Sequence, residues 1–205
     1  MSGYMFTANW FDITAKEVWD QLIPQLKPKR ILEVGCYEGA GTCYLIENLA
    51  GNGDIEIHCV DAWEGGIQTV SVEDFAAIER NFDSNISLAM EGKSNVRVQK
   101  HKEFSDTALS RLISEGKKNY FDFVYIDASH LAPDVICDAV LGFKLLRVGG
   151  CMAFDDYLWA EALPGGKDLL RCPKPAIDAF INLNIRKLEV LPYAIHQIYL
   201  RKTAD

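Results

Sequence analysis

No stretch of this sequence approaches the roughly 18 to 20 consecutive apolar residues that a membrane-spanning helix needs. Residues Met1–Asp12 also lack the basic-then-apolar layout of a secretory leader. Both absences lead to the expectation of a cytoplasmic protein with no membrane partner. A basic excess is missing too: 21 Lys and Arg stand against 29 Asp and Glu, a formal charge of -8. Sequence-independent binding to nucleic acid needs a basic face to neutralise phosphates, so nucleic acid is not an expected partner. The six cysteines form no CxxC pair and most lie inside apolar stretches. That argues against a disulfide framework or a cysteine-built zinc site and for reduced, packed thiols. The chain has no internal repeat, no low-complexity tract and no linker long enough to separate a pair of folding units. Residues 1–205 are expected to form one domain, which at this length buries enough surface to need no staples.

What is present alternates between two periodicities. Thr14 with Glu17 has the form of a capping box, followed by Val18, Trp19, Leu22 and Ile23 at helical spacing and closed by Pro24 and Pro28. Arg30–Gly35 reads as a strand entering a glycine turn, Thr42–Leu49 as a helix, and Asp54–Asp61 as a second strand. A polar loop from Trp63 leads to a helix starting near Ser71 and Asp74, with Phe75, Ile78 and Phe82 on one face. Asn95–Gln99 reads as a third strand and Thr107–Ile113 as a helix. Tyr120–Asp127 is nearly continuous in apolar and β-forming residues, as expected of a strand covered on both faces. Pro133 suits the first turn of a helix running to a Gly149-Gly150 stop. Cys151–Phe154 is a strand, Ala176–Leu183 a helix, and Leu188–Leu191 with Ile195–Leu200 a closing antiparallel pair. The fold class is α/β: a Rossmann-like, doubly wound, mostly parallel sheet with an antiparallel C-terminal hairpin. The hairpin leaves an edge strand through which a homodimer could form.

In such sheets ligands bind beyond the carboxyl ends of the strands, where strand order reverses. The residues placed there are Gly35–Gly41, Asp61, His101–Ser105, Asp127–His130 and Asp155–Tyr157. Gly35, Gly39 and Gly41 let backbone approach a ligand closely. Their spacing is GxxxGxG, not the GxGxxG of a pyrophosphate-binding turn, and a diphosphate would be repelled by Glu33 and Glu38. This disfavours a nicotinamide dehydrogenase and suits a nucleoside carrying positive charge. Asp61, at the end of the second strand, can accept hydrogen bonds from both ribose hydroxyls. Together these features signal S-adenosylmethionine. Asp127, Asp155 and Asp156 close two neighbouring strands about 4.8 Å apart. Carboxylates so close raise each other's pKa unless a cation sits among them, and hard oxygen ligands suit Mg²⁺, with Mn²⁺ as a substitute.

The segments ILEVGCYEGAGTCYL (Ile31–Leu45), the strand ending in Asp61, FDFVYIDASH (Phe121–His130) and LLRVGGCMAFDDY (Leu145–Tyr157) resemble the class I S-adenosylmethionine-dependent methyltransferases. Within them the likeness is to metal-dependent O-methyltransferases of the catechol and the macrolide-sugar types. The resemblance implies that Gly35 and Tyr37 line the methionine end of the cofactor, that Asp61 holds the ribose, and that Ser105 lies near the adenine. Glu33, Gly39 and Asp127 complete the expected cofactor set. His130 falls where catechol-type enzymes carry lysine and macrolide-sugar enzymes carry a histidine proposed as general base; an ordinary imidazole titrates near pH 6.5 and can take a hydroxyl proton at neutral pH. The expected catalytic residues are His130 and Asp127, and the expected metal ligands Asp127, Asp155 and Asp156. The expected activity is methyl transfer to a hydroxyl of a small molecule, a sugar or a vicinal diol or phenol. Two alternatives stay open: a metal-independent small-molecule methyltransferase, and a non-catalytic module that binds S-adenosylmethionine.

Overall fold

A computed structural model of the protein describes residues 3–65, 74–194 and 196–205. Its strands are β1 (Arg30–Val34), β2 (Ile55–Asp61), β3 (Val96–Lys102), β4 (Phe121–Ile126), β5 (Leu146–Phe154), β6 (Leu188–Leu191) and β7 (Ile198–Lys202). They form one sheet in the order β3-β2-β1-β4-β5-β7-β6. The first five run parallel, and β7 is antiparallel to both β5 and β6. The helices are α1 (Trp10–Ile13), α2 (Lys16–Leu26), α3 (Ala40–Leu49), α4 (Phe75–Ala89), α5 (Ser105–Ser114), α6 (Ala132–Leu145) and α7 (Lys174–Asn184).

The period-2 pleat sorts the sheet residues into two cores. Ile31, Ile57, Phe123, Tyr125 and Tyr199 face α2, α3 and α4, while Leu32, Val60, Val124, Ile126 and Leu200 face α5, α6 and α7. Each central strand is covered twice, which is why β4 carries almost no polar residue. The doubly wound sheet with its C-terminal hairpin is the one the sequence pattern implies. Among the described residues no helix is long and apolar enough to cross a membrane.

Local punctuation differs from the sequence reading in several places. The capping box at Thr14 does not form, because a short α1 precedes α2: the Thr14 hydroxyl donates back to the Trp10 carbonyl at 2.8 Å, and Ala15 leads into α2 without a side-chain cap. Pro24 lies inside the last turn of α2, and the helix ends instead at Lys27, whose φ of 45° takes the chain out of helical geometry. Gly149-Gly150 is not a helix stop. Helix α6 passes directly into extended backbone at Leu146, and the two glycines sit within β5, beside a register shift against Phe121 and Phe123. A Cβ on Gly150 would lie 2.7 Å from Leu146 Cδ1 and 3.0 Å from the Asp122 carbonyl, so the irregularity demands glycine there. The expected helix start at Ser71 and the beginning of the last strand at Ile195 lie outside the described residues. Asp74 caps α4, accepting from the Ala77 amide at 3.0 Å.

Strand order reverses between β1 and β4: the chain leaves β1 outward to β2 and β3, then returns to β4 on the other side. The loops after β1 and β4 therefore diverge and open a crevice at the sheet's carboxyl edge.

Candidate active site

The crevice is a cavity of about 1090 Å³. Its floor begins with the turn after β1. Gly35 has φ +88°, and a Cβ there would lie 2.1 Å from the Asp127 carbonyl oxygen, so only glycine lets the β1 and β4 loops pass each other. Backbone bonds fix the crossing: Gly35 donates to Val60 O at 2.8 Å, Asp127 to Val34 O at 2.7 Å and Asp155 to Ile126 O at 3.0 Å. Tyr37 at φ 49° and Gly39 at φ 82° complete the turn and launch α3. Asp61 shapes this turn. One of its oxygens accepts from the Cys36 and Tyr37 amides at 2.9 and 3.0 Å, and the other from the Trp63 amide at 2.8 Å. A carboxylate has about four lone-pair sites, so acceptor capacity remains toward the cavity that Asp61 borders. Glu33 is 2% exposed beneath the turn and accepts from the Thr42 hydroxyl at 2.5 Å. Burial first, and then the charge of Asp61, push its carboxyl up to about 8.

Across the switch point stand the three aspartates. Asp155 accepts from the Tyr125 hydroxyl at 2.5 Å and from the Asp156 amide at 2.8 Å. Asp156, held at φ 55°, meets His130 Nε2 at 2.7 Å, and the His130 ring lies 4.0 Å, centroid to centroid, from Trp159. Burial first, then Asp155, Asp156 and Glu33, hold the Asp127 carboxyl well above the ordinary carboxylate range, against the opposing Tyr125 hydroxyl. Asp155 is raised by burial and by Asp156. The aspartates thus feel one another's charge across adjacent strand ends. Their oxygens do not close to a ready-made cage, however. Among the described residues, the group of three ligand atoms lying within 4.8 Å of one another is Glu33, Cys36 and Cys59, fully buried beneath the turn. Two soft thiols make that set a poor match for Mg²⁺, whereas the aspartates offer the hard oxygens and the mutual repulsion that a divalent ion relieves.

Every expected cofactor, catalytic and metal residue borders this one cavity, apart from Gly39, which lies at the end of the turn: Glu33, Gly35, Tyr37, Asp61, Ser105, Asp127, His130, Asp155 and Asp156. Ten carboxylate residues line it, and among the described residues no lysine or arginine does. His58 and His101 lie elsewhere, joined at 2.8 Å and held by Glu56 and Arg111. Trp63 and Trp159 border the cavity, whereas Tyr157 bonds Asp178 at 2.7 Å and Lys174 at 2.6 Å. Arg171 pairs with Glu161 at 2.5 Å.

Sequence reasoning missed the N-terminal segment. Phe6, Ala8, Trp10, Phe11 and Thr14 form one wall of the cavity. The segment is strapped down by Glu38, which accepts from the Thr7 amide at 2.5 Å, the Thr7 hydroxyl at 3.0 Å and Asn81 at 2.8 Å, and by Trp10 against Tyr37 at 5.0 Å. The density of aromatics before residue 12 was its only signal in the sequence. Asp134, Cys137 and Asp138 of α6 were also missed as lining residues.

This sheet order, with a glycine turn after β1, an acidic residue ending β2 and an antiparallel β7, defines a class I S-adenosylmethionine-dependent methyltransferase. Residues 32–157 match a family model described as a methyltransferase domain, and the chain belongs to that family. A curated relative, a probable caffeoyl-CoA O-methyltransferase of Dictyostelium discoideum, is 26% identical over 89% of this chain and 68% of its own length. Among solved structures, an O-methyltransferase from Bacillus cereus in complex with S-adenosylhomocysteine superposes with a TM-score of 0.61 at 20% identity, covering 91% of this chain and 80% of the other. TomG of Streptomyces achromogenes, an O-methyltransferase solved with S-adenosylmethionine, gives a TM-score of 0.63 at 18% identity, with coverages of 92% and 79%. CalS11, a TDP-rhamnose 3'-O-methyltransferase, gives 0.60 at 19%, with coverages of 90% and 77%.

Proposed function

We propose that the protein moves the methyl group of S-adenosylmethionine to a hydroxyl of a small molecule, a sugar or a vicinal diol or phenol. The observation that carries this reading is a cavity that, among the described residues, is lined by ten carboxylate residues and no lysine or arginine, with one imidazole at its rim. Such a cavity favours a cationic donor and disfavours phosphate. The substrate oxygen attacks the methyl carbon as the carbon–sulfur bond breaks, leaving S-adenosylhomocysteine, and the hydroxyl proton passes to His130. The donor carries its own activation, so the chain contributes mainly position. The glycine turn, fixed by Asp61, seats the methionine end; Asp156 orients the His130 ring and stabilises the imidazolium that forms; Trp159 and the Phe6–Phe11 wall exclude water from the acceptor side. Asp127, Asp155 and Asp156 are the residues that would hold Mg²⁺, which when bound supplies Lewis-acid polarisation of the substrate hydroxyl. A relative and structural neighbours named as O-methyltransferases support transfer to an oxygen.

The test is transfer of labelled methyl from S-adenosylmethionine to a panel of sugars, catechols and simple alcohols, with Mg²⁺ or with EDTA, for the natural protein and for Asp127→Ala and Asp155→Ala. Loss of transfer in EDTA and in both variants is the expected result. A second reading, metal-free transfer by the His130–Asp156 pair, is favoured by the engagement of Asp156 with His130 at 2.7 Å; it predicts turnover indifferent to EDTA. Tight nucleoside binding without transfer to any acceptor would leave a binding module.

A further inference from the structure

The α6 side of the cavity holds an acidic group for which the mechanism has no use. Asp134 is bonded by the Ser129 hydroxyl at 2.8 Å. Asp138, one turn further along α6, is 1% exposed, borders the cavity, and has no hydrogen-bond partner on either carboxylate oxygen. A buried carboxylate is almost always paired, because leaving it unpaired forfeits its hydration with nothing in return. Burial, together with the charges of Asp134 and Asp106, pushes its carboxyl up to about 7; the Ser105 hydroxyl opposes that shift from nearby without completing a hydrogen bond. Among the described residues no donor stands in bonding geometry to it, which leaves its acceptors open to a donor on what fills the cavity.

Its position says which portion of a ligand arrives there. A nucleoside whose methionine end sits on the Gly35–Tyr37 turn and whose ribose passes Asp61 extends its base toward the start of α5 after β3. Ser105 opens that helix, and α5 packs along α6. The cavity at this end is also bordered by Val60, Phe104 and Leu131, apolar surfaces suited to a flat ring. We infer that Asp138 is a specificity-determining residue for the donor: its carboxyl oxygen accepts a hydrogen bond from the exocyclic amine of the adenine. This rests on the reading that the cavity takes S-adenosylmethionine. It assigns the choice of base to α6, a different element from the loop after β3.

Calorimetric titration tests it, using S-adenosylhomocysteine and its 6-deamino analogue, in which purine replaces adenine, on the natural protein, Asp138→Asn and Asp138→Leu. A hydrogen bond to a buried carboxylate corresponds to about tenfold or more in affinity, so the natural protein should prefer the adenine ligand by that factor. Asp138→Leu should bind both ligands equally, at the level of the analogue. Asp138→Asn keeps a carbonyl acceptor and should keep the preference. Both variants should melt no lower than the natural protein, since each removes a buried carboxylate with no partner, and this shows that they are folded. If Asp138→Leu still discriminates between the ligands as the natural protein does, the inference is overturned while the cofactor reading stands. If the natural protein binds neither ligand, both fall together.

Discussion

Glu33 offers the sharpest quantitative test, because it is 2% exposed beneath the glycine turn and its carboxyl is bonded only to the Thr42 hydroxyl among the described residues. Its carboxyl is pushed from an ordinary 4.5 up to about 8, chiefly by burial. Between those two values the unfolded chain has released a proton that the folded chain still holds. Stability therefore falls as pH rises through that window, is untouched below about 4.5, and has suffered its full loss above about 8. At 1.36 kcal/mol per tenfold change in acidity, the difference of about 3.5 amounts to about 5 kcal/mol at alkaline pH. Glu33→Gln removes the titration but keeps an acceptor for the Thr42 hydroxyl now donating to Glu33 at 2.5 Å. At pH 4 the variant and the natural protein should melt together. At pH 9, without cofactor, the variant should be more stable by up to about 5 kcal/mol, or about 10 to 20 °C at roughly 2 to 4 °C per kcal/mol for a chain of this size. Scanning calorimetry at half-unit pH steps reads the difference curve. Parallel melting curves for the two proteins across the whole range would refute the assignment of a buried, proton-retaining Glu33.

Three further outcomes follow from the same geometry. Gly35→Ala would force a Cβ to within 2.1 Å of the Asp127 carbonyl at a φ of +88°; cofactor binding should be lost and folding impaired by more than about 4 kcal/mol, and a soluble variant that binds S-adenosylhomocysteine normally would sink the crossing of the two loops as described. His130→Gln should lower kcat by about 10² to 10⁴ with the affinity for S-adenosylmethionine unchanged, measured by initial rates alongside titration; unaltered kcat removes His130 from the chemistry. Mg²⁺ at about a hundredfold its Kd should add about 2.7 kcal/mol of stability, with a larger gain at pH 8 than at pH 5, because the ion must displace protons that Asp127 and Asp155 hold above their ordinary range. Melting in the presence and absence of the ion decides this; no Mg²⁺-dependent rise at either pH favours the metal-free reading.

The features of this molecule legible in its sequence are those set by periodicity and by strand ends. The alternation through Ile55–Asp61 and the unbroken apolar run of β4 follow from which faces are covered, and a sheet with two covered faces leaves few other residues possible. That the residues at the strand ends would border one cavity was legible, because a doubly wound sheet brings those ends to one edge whatever lies between them. Punctuation was not legible, because it depends on neighbours. Thr14 can cap a helix only if no helix ends on it, and α1, four residues long, has too little sequence for a period to show. Gly149-Gly150 looks like a helix stop until the register shift opposite Phe121 reveals that β5 needs it. The N-terminal wall was hidden for a related reason: Thr7 is held by Glu38, 31 residues away, and no local pattern announces such a bond.

Glu33, Asp127, Asp138 and Asp155 share a property that connects these observations. Glu33 and Asp138 are buried and Asp127 and Asp155 half-buried, each has its carboxyl pushed upward chiefly by removal from water, and each borders the same cavity. A fold selected for stability alone would not gather four such groups around one space, since apolar residues of similar volume would cost less. Their shared electrostatic demand is for positive charge and hydrogen-bond donors within the cavity. A sulfonium donor with its own ammonium group and an adenine amine supply both, and a divalent ion at the strand ends supplies more of the first. On the proposed function, the chain alone is destabilised where its ligands would sit, and some of their binding energy would be drawn from the relief of that charge. It follows that neutralising substitutions at these positions should raise the stability of the empty protein and lower its affinity for the donor together. A packing role alone would move both quantities downward.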